Sequence, residues 1–484
     1  MKNKIKSDKQ IKSNAIRDNN GNLFVLQDGR ARWNERKSYG VNFAKIFYML
    51  GSEELKKAHE NNSLRIDKKT GEILVDSETA KKYFLKSDRM SDCSSRLAYK
   101  IDVEGLKKLH NAYFCRERLC PICMWRLSRR LAWETNLIMA KYTAENSDMI
   151  PLLITLTVRN PRMGELSQML DVLCNGDVGA WASFRKWLAR RGIKDYVRTL
   201  EVTFNSKAQT WHPHLHILAF APKDYFKKGN KNYISHETLK KEWQRICKLD
   251  YEPYVDIRRC YDKKAGTNER IDFDSDIKTV SFDGAIKETS KYCVKPLKLF
   301  DNSDDYYGDE IENKNKLNIK AVVRELAEAL SGRRLRALGG KLKQIAKELK
   351  FDDDESKKDL LHKDETGTAE AIWQEIYEYV FGDKQYYLTA REEIAQENNI
   401  VDAHQPERHA TKPNFAPSAD AQLIRTTAER LECEPDGQLT DTAVGKLEKI
   451  FADGANIYSL KFEQGANNFR AVGVEGLAPA SSMF

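Results

Sequence analysis

The sequence predicts an α+β protein built on an antiparallel sheet with helices on one face. Three segments alternate polar and apolar residues with the period of a half-buried strand: 153–158, 199–204 and 212–220. The polar stretch 205–210 is short enough to join the last two segments as an antiparallel hairpin. Large apolar side chains recur at helical spacing in 180–190, which predicts a helix packed on the apolar face of the sheet.

Composition divides the 484 residues into five expected segments. They are a basic N-terminal extension (1–84), a cysteine-rich region with a helix (85–148), the strand-rich segment (149–300), a linker with a basic helical extension (301–350) and an acidic C-terminal region (351–484). We expect the C-terminal part of the chain to be mostly helical.

The charge of the chain is unevenly distributed. Residues 351–484 hold 13 Lys+Arg and 26 Asp+Glu, a net charge of −13, whereas residues 1–350 hold 68 and 46, a net charge of +22. A basic body with an acidic tail region indicates a polyanionic ligand for the first part. A generally charged, solvated surface would give the same counts, so the charge alone does not identify a nucleic-acid-binding protein.

Nothing in the composition indicates a membrane or secreted protein. No apolar run approaches the ~20 residues that a membrane-spanning helix needs, and no apolar stretch follows the basic N-terminus. The nine cysteines do not form a disulfide framework, because four of them fall in one cluster and the others are scattered. We therefore expect a cytoplasmic protein with no membrane partner.

A candidate metal site lies on the third predicted strand. His214 and His216 are two residues apart, so they share one face of that strand. Two neutral imidazoles suit a divalent cation, and an added carboxylate favours Mg or Mn. Glu201 is the expected third ligand because the hairpin pairs its strand with the histidine strand, and His212 is an alternative. Two exposed histidines without a metal would give the same pattern.

A candidate nucleophile lies downstream, in a stretch of good helix formers. On a helix Glu288, Tyr292 and Lys295 share one face, because they are spaced i, i+4 and i+7. A phenol is a poor nucleophile at its free pKa near ~10, but a metal-bound phosphate and a lysine make its phenolate accessible. Lys295 can orient the phosphate or stabilise the phenolate, and Glu288 can act as general base on water. A surface helix with a packed tyrosine is the structural alternative.

A third cluster has the pattern Cys93-x21-Cys115-x4-Cys120-Pro-Ile-Cys123. Four thiolates at this spacing suit a closed tetrahedral zinc site. We expect a structural zinc, which either holds the fold alone or also presents nearby arginines to DNA phosphates. The arginines are Arg116, Arg118, Arg126, Arg129 and Arg130.

Seven sequence blocks follow one another in a set order within residues 85–350. They are Phe114-Cys115-Arg116-x-Arg118-Leu119-Cys120-Pro121-x-Cys123, Ile154-Thr155-Leu156-Thr157, Leu200-Glu201-Val202-Thr203, His212-Pro213-His214-Leu215-His216, Glu288-x3-Tyr292-x2-Lys295, Gly332-Arg333-Arg334 and Gly339-Gly340. Any one block is unspecific, whereas the joint set is specific. Together they resemble the rolling-circle plasmid replication initiators of the Rep_1 type, which are members of the HUH endonuclease class.

The resemblance implies a ferredoxin-like sheet of the HUH type and a metal-dependent DNA nicking-closing enzyme, with its nicking domain in residues 149–300. Tyr292 matches the tyrosine that forms a 5′-phosphotyrosine link and frees a 3′-OH primer. Glu288 matches the glutamate that ends the cycle by hydrolysis. The implied partners are plasmid origin DNA, single-stranded or cruciform at the nick site, and a host helicase.

Two other classes of protein remain open from the sequence. A relaxase or a single-strand transposase would use the same HUH chemistry, although the upstream cysteine cluster and the Glu288–Tyr292 spacing favour the initiator. A non-catalytic zinc-dependent nucleic-acid-binding protein would need the cysteines and the basic body, but neither Tyr292 nor the two histidines.

Overall fold

Ten α-helices and fifteen strands lie in the described part of the computed structural model. That part comprises residues 7–27, 32–60, 64–66, 73–75, 78–261, 279–290, 318–351, 354–362, 371–394, 430–432, 460–464 and 468–473. The helices are α1 (Asp8–Asn14), α2 (Trp33–Glu60), α3 (Glu78–Asp92), α4 (Pro121–Glu145), α5 (Leu166–Cys174), α6 (Ala180–Ala189), α7 (His236–Cys247), α8 (Phe282–Ser290), α9 (Ile319–Ala329) and α10 (Gly340–Glu348). Among these helices, none is long and apolar enough to cross a bilayer.

The strands are β1 (Leu64–Ile66), β2 (Ile73–Val75), β3 (Arg96–Asp102), β4 (Lys107–Ala112), β5 (Met149–Thr157), β6 (Tyr196–Asn205), β7 (Thr210–Pro222), β8 (Val255–Tyr261), β9 (Thr279–Ser281), β10 (Arg336–Gly339), β11 (Ala371–Val380), β12 (Gln385–Glu393), β13 (Arg430–Glu432), β14 (Leu460–Gln464) and β15 (Asn468–Gly473). The three strands expected around 153–158, 199–204 and 212–220 are confirmed as β5, β6 and β7, and the expected helix is α6.

The chain separates into two compact units, residues 1–115 with 367–484, and residues 116–366. The first contains an antiparallel sheet with the strand order β12-β11-β3-β4. The second contains a six-stranded sheet with the order β10-β6-β7-β5-β8-β9, antiparallel except for the short pair β8–β9. The first unit thus joins residues from both ends of the sequence, which a division into consecutive segments could not indicate.

The α+β class is confirmed, but helices cover both faces of the six-stranded sheet, so the expectation of one covered face is wrong. The face that carries the histidines turns apolar further along the strands, at Leu153, Val197 and Leu218. These residues form a buried core with side chains of α4, α8 and α10. The polar residues occupy only one end of this face. Their alternation in the sequence was extended wrongly to the whole face, which was therefore expected to be open.

The opposite face of the sheet is covered by the helices that connect its strands. Trp181 of α6 lies edge-on to Tyr196 of β6, with ring centroids 4.9 Å apart. Phe184 of α6 contacts Trp243 of α7 at a centroid distance of 5.5 Å. Burying such rings contributes about 1.5–3 kcal/mol each, which fixes the sheet that carries the site.

The expectation of a mostly helical C-terminal part is correct for residues 319–348, which hold α9 and α10, but wrong beyond residue 351. The described elements there are strands and one 3-10 turn, Glu355–Lys357. Residues 371–380 are rich in aromatic and β-branched side chains, and β11 pairs with β3 as well as β12. Pairing with a strand some 270 residues earlier outweighs the helix-forming Glu and Ala of this region.

One buried carboxylate, Asp195, fixes the start of α10 against the sheet. It accepts hydrogen bonds from Tyr142 Oη at 2.7 Å and from the backbone N–H of Lys341 at 2.7 Å. Burial, together with Asp195, raises the pKa of Tyr142 far above its ordinary value. Gly340 has φ +58°, and a Cβ there would overlap Asp195 Oδ1. The glycine is therefore needed for its positive φ and for the close approach of this carboxylate.

We expect Gly340→Ala to destabilise the chain more than Gly332→Ala. Both glycines have positive φ, but a Cβ at Gly332 would meet nothing within 4 Å. Gly332→Ala should cost about 1–2 kcal/mol from the left-handed backbone alone, and Gly340→Ala about 1–3 kcal/mol more from the overlap. Thermal unfolding of the two variants measures the difference, and equal unfolding temperatures would contradict the role given to Asp195.

Candidate metal centre

The register of the β6–β7 hairpin brings Glu201, His214 and His216 together. Glu201 pairs directly with His214. Its Oε2 lies 3.3 Å from His214 Nε2 and 3.3 Å from His216 Nε2. Ligand atoms about 2.1 Å from one ion lie roughly 3.0–3.4 Å apart, so this spacing fits a single divalent cation. The chemistry of the set, two imidazoles and one carboxylate, suits Mg or Mn.

Each imidazole is held by its other ring nitrogen. His214 Nδ1 lies 3.1 Å from the carbonyl oxygen of His212, and His216 Nδ1 lies 3.3 Å from Thr155 Oγ1. These contacts direct both Nε2 atoms toward Glu201. Such outer contacts fix ring orientation at metal sites, and Thr155 sits in the right place because β5 pairs it with His216.

His212, the alternative third ligand, is turned elsewhere. It pairs with Thr203, two residues beyond Glu201, and its Nδ1 lies 2.8 Å from Asn160 Oδ1. The possible metal-holding group on this sheet consists of Glu201, His214 and His216 without it. The structure therefore favours Glu201.

The C-terminal turn of α8 lies directly over this centre. Glu288 Oε2 is 4.0 Å from His216 Nε2, and the Glu288 side chain keeps 32% of its surface exposed. Thr199, the cross-strand partner of His216, donates its hydroxyl to the carbonyl oxygen of Thr289 at 2.6 Å. Glu288 thus lies beside the candidate metal site. Tyr292 and Lys295 lie outside the described residues.

The four cysteines predicted to bind zinc are also brought together. The sulfur atoms of Cys93, Cys115, Cys120 and Cys123 lie within 4.8 Å of one another, and all four residues are buried. A tetrahedral zinc with Zn–S bonds of about 2.3 Å places its sulfurs roughly 3.8 Å apart, so the donor set fits that ion.

Backbone N–H groups point at two of these sulfurs. The N–H of Cys115 donates to Cys93 Sγ at 3.5 Å, and that of Arg116 donates to Cys123 Sγ at 3.2 Å. Arg116 reaches this position with φ +59°, a left-handed conformation that is uncommon for a residue with a side chain. The two N–H···S contacts thus accompany an unusual backbone conformation at this turn.

The five arginines near the cysteines fall into two groups, one buried and one accessible. Arg126 and Arg130 are buried: Arg126 Nε donates to the carbonyl oxygen of Leu360 at 2.7 Å, and Arg130 Nε to Glu134 Oε1 at 2.8 Å. Buried guanidiniums with these bonds are not available to phosphate, so we do not retain them as DNA contacts. The partner of Arg130 is only four residues away in the sequence, whereas that of Arg126 is 234 residues away. Sequence spacing could not predict the distant contact.

The other three arginines remain accessible to different degrees. Arg116 Nη1 and Arg118 Nη1 donate to backbone carbonyl oxygens, those of Lys358 at 2.8 Å and Leu330 at 2.5 Å. Arg129 is exposed, with its guanidinium 6.0 Å from the Trp125 ring centroid. Of the five, Arg129 is the best placed to meet a phosphate.

The sequence analysis did not single out Thr199, whose hydroxyl ties β6 to the end of α8. Another threonine of the same face, Thr157, donates its hydroxyl to the carbonyl oxygen of Tyr254 at 2.7 Å. Both threonines can be noticed in the sequence as polar positions in otherwise apolar strands.

Two cysteines outside the candidate zinc cluster are buried thiols. Burial raises the pKa of Cys247 and of Cys260 to about 12.

Comparison with known proteins identifies the family. The profile of the Rep_1 family, described as "Replication protein", matches residues 106–387. The chain belongs to the Rep_1 family. This confirms the resemblance drawn from the sequence blocks.

Several relatives of this family come from bacteria. The chain is 37% identical over 279 residues to "Protein rep" of Bacillus amyloliquefaciens, covering 56% of this chain and 76% of the relative. It is 31% identical over 269 residues to "Protein rep" of Streptococcus pneumoniae serotype 2 strain D39, covering 56% and 73%. With "Protein rep" of Lactiplantibacillus plantarum it shares 30% identity over 369 residues, covering 75% and 97%. No solved structure matches the chain significantly.

We expect about one tightly bound zinc per chain, lost in the double variant Cys120→Ser/Cys123→Ser. Because a structural zinc supplies folding free energy, this variant should also unfold at a lower temperature. Cys174→Ser, outside the cluster, is the matched control and should keep its zinc. Elemental analysis of the native protein checks the stoichiometry, and protein purified without zinc would contradict the site.

Proposed function

We propose that the chain is an initiator of plasmid rolling-circle replication that nicks and rejoins origin DNA through Tyr292. The observation that carries this proposal is the cluster of Glu201, His214 and His216 beneath the last turn of α8, two residues before Tyr292. The family membership and the bacterial relatives named replication proteins support it.

We also propose that the sheet is of the ferredoxin-like HUH type. Along the chain, β5, α6, β6, β7, α7 and β8 follow the order βαββαβ of that fold. In space the four strands are ordered β6-β7-β5-β8, so the first and third strands are central. The histidines lie on one of these central strands, where neighbours on both sides fix their position.

The metal ligands would be Glu201, His214 and His216, with Mg or Mn as the ion. When bound, such a cation polarises a phosphoryl oxygen and lowers the cost of the charge that develops there. These three residues would hold the ion with fewer than four protein ligands, so that substrate oxygens could complete its coordination. A closed structural site would have four protein ligands instead.

Tyr292 supplies the nucleophile in this proposal. Its phenolic oxygen forms a bond to phosphorus while the bond from phosphorus to the 3′ oxygen breaks, so the phosphodiester is exchanged without loss of its energy. The products are a 5′-phosphotyrosine link and a 3′-OH primer. Tyr292 follows Ser290, the last residue of α8, by two positions, and two residues of chain span at most about 7 Å. Lys295 would orient the phosphate or stabilise the phenolate.

Glu288 supplies the release step. Its carboxylate, near His216 and partly exposed, can take a proton from a water that attacks phosphorus. On a helix that continued to Tyr292, one turn of about 5.4 Å would separate the two groups, an offset at which both could serve one phosphate. The partners that follow are origin DNA, single-stranded or cruciform at the nick, and a host helicase in a bacterial cytoplasm. Structural zinc on the four cysteines completes the proposal.

The metal is tested with His214→Ala/His216→Ala. We expect this double variant to keep its fold, to lose Mn binding measured by calorimetry, and to lose nicking. Glu201→Ala should also weaken binding, because Oε2 lies 3.3 Å from both imidazoles. His110→Ala, an exposed histidine on β4, is the control. Nicking by the double variant at the native rate with Mg or Mn present would exclude the assignment.

The division of labour between Tyr292 and Glu288 is tested with single-stranded origin oligonucleotides and with plasmids. Tyr292→Phe should abolish nicking and the covalent adduct, whereas Tyr233→Phe, at a tyrosine packed on Tyr225, should keep both. Glu288→Gln should still form the adduct but fail to terminate, because hydrolysis loses its base, and should give products longer than one plasmid unit. An adduct in Tyr292→Phe would overturn the proposal, and monomer-length products from Glu288→Gln would remove Glu288 from termination.

A further inference from the structure

An exposed aromatic residue, Tyr254, lies in line with the candidate metal centre across the sheet. The two belong to one cross-strand row, that is, a set of residues directly opposite one another on neighbouring strands. The N–H and the hydroxyl of Thr157 both donate to the carbonyl oxygen of Tyr254, at 3.3 and 2.7 Å. This carries the ladder between β5 and β8 one residue beyond Val255. Because Thr157 pairs with His214, and His214 with Glu201, the row runs from Tyr254 to the metal ligands.

The position of Tyr254 in this row determines its distance from His214 and its exposure to solvent. Neighbouring strands are about 4.8 Å apart, so the backbone of Tyr254 lies about 10 Å from that of His214. Tyr254 is 64% exposed, whereas Thr157 in the same row is buried. A single exposed aromatic residue is common on protein surfaces, so its neighbours decide whether it has a role.

The neighbours are typical of a surface that binds a nucleic-acid strand. The loop after β5 places the Arg159 guanidinium 4.1 Å from the ring centroid of Tyr251, and the N–H of Arg159 donates to Tyr251 Oη at 2.5 Å. Arg159 is 64% exposed, and its ion pair with the exposed Asp250 is long, at 3.8 Å. Such a pair contributes little in water, so the guanidinium can exchange it for a phosphate.

We propose that Tyr254 stacks on a base of single-stranded DNA a few nucleotides from the scissile phosphate, and that Arg159, held by Tyr251, contacts the backbone of the same strand. This inference rests on the proposed function, which places DNA at the metal centre. Aromatic rings bind single strands by stacking on bases of any sequence, and a stacked arginine adds a phosphate contact. At about 3.4 Å per nucleotide, 10 Å places the base roughly three nucleotides from the scissile phosphate.

The test measures binding without cleavage. The full chain is titrated, without added Mg or Mn and with no chelator that would remove zinc, against a fluorescent oligothymidylate and against an abasic oligomer of the same length. Stacking contributes about 1–3 kcal/mol per base. Tyr254→Ala should therefore weaken oligothymidylate binding about 5- to 150-fold, and weaken abasic binding little. Tyr254→Phe keeps the ring and should bind like the native chain, as should Trp373→Ala, an exposed aromatic residue on β11.

Arg159 has a different expected signature. Because Arg159 would contact a phosphate, Arg159→Ala should weaken binding of both oligomers equally. It should also reduce the slope of log affinity against log salt concentration by about 1. Arg159→Lys should restore part of the affinity through its charge. An Arg159→Ala variant with native affinity and native salt dependence would exclude the phosphate contact.

Three results would overturn the stacking role of Tyr254: native affinity of Tyr254→Ala, an equal loss with both oligomers, or a Tyr254→Phe variant as weak as Tyr254→Ala. These results are separate from the nicking proposal. Base-dependent binding by a chain that forms no Tyr292 adduct would support stacking and contradict nicking. An adduct formed by a chain whose binding does not depend on Tyr254 would contradict stacking alone.

Discussion

The register of the β6–β7 hairpin is the constraint on which the rest of the candidate site depends. Side chains alternate between the faces of a strand, so a shift of one residue would move Glu201 to the face opposite His214 and His216. The register is held by the buried apolar residues of both faces, among them Leu200 opposite Leu215 and Val197 opposite Leu218. Packing energy therefore fixes the distance between the carboxylate and the imidazoles.

Helix α8 shows how one short element serves both the core and the chemistry. Ala285 and Ile286 are buried in the core under the apolar end of the histidine face. One turn later Glu288 reaches His216, and the carbonyl oxygen of Thr289 accepts the hydroxyl of Thr199. Because the first turn is fixed by packing, the second is held over the candidate metal ligands, two residues before Tyr292 in the sequence.

The two candidate metal sites differ in the way expected for structure and catalysis. The four cysteines form a closed, buried set that leaves no position for a substrate. Glu201, His214 and His216 form a three-ligand set with the partly exposed Glu288 at its edge. A closed site stabilises a fold, whereas a site with fewer protein ligands can accept a phosphate oxygen and support nicking.

The sequence by itself determined the strands around the histidines, the candidate metal-binding residues, the cysteine cluster and the family, because alternation and short spacings are local properties. It did not determine that helices cover both faces of the sheet, that β11 pairs with β3, or that Arg126 is buried against Leu360. Those features depend on contacts between residues far apart in the chain. Only the tertiary structure decides which distant surfaces meet, since burial is a property of the packed whole.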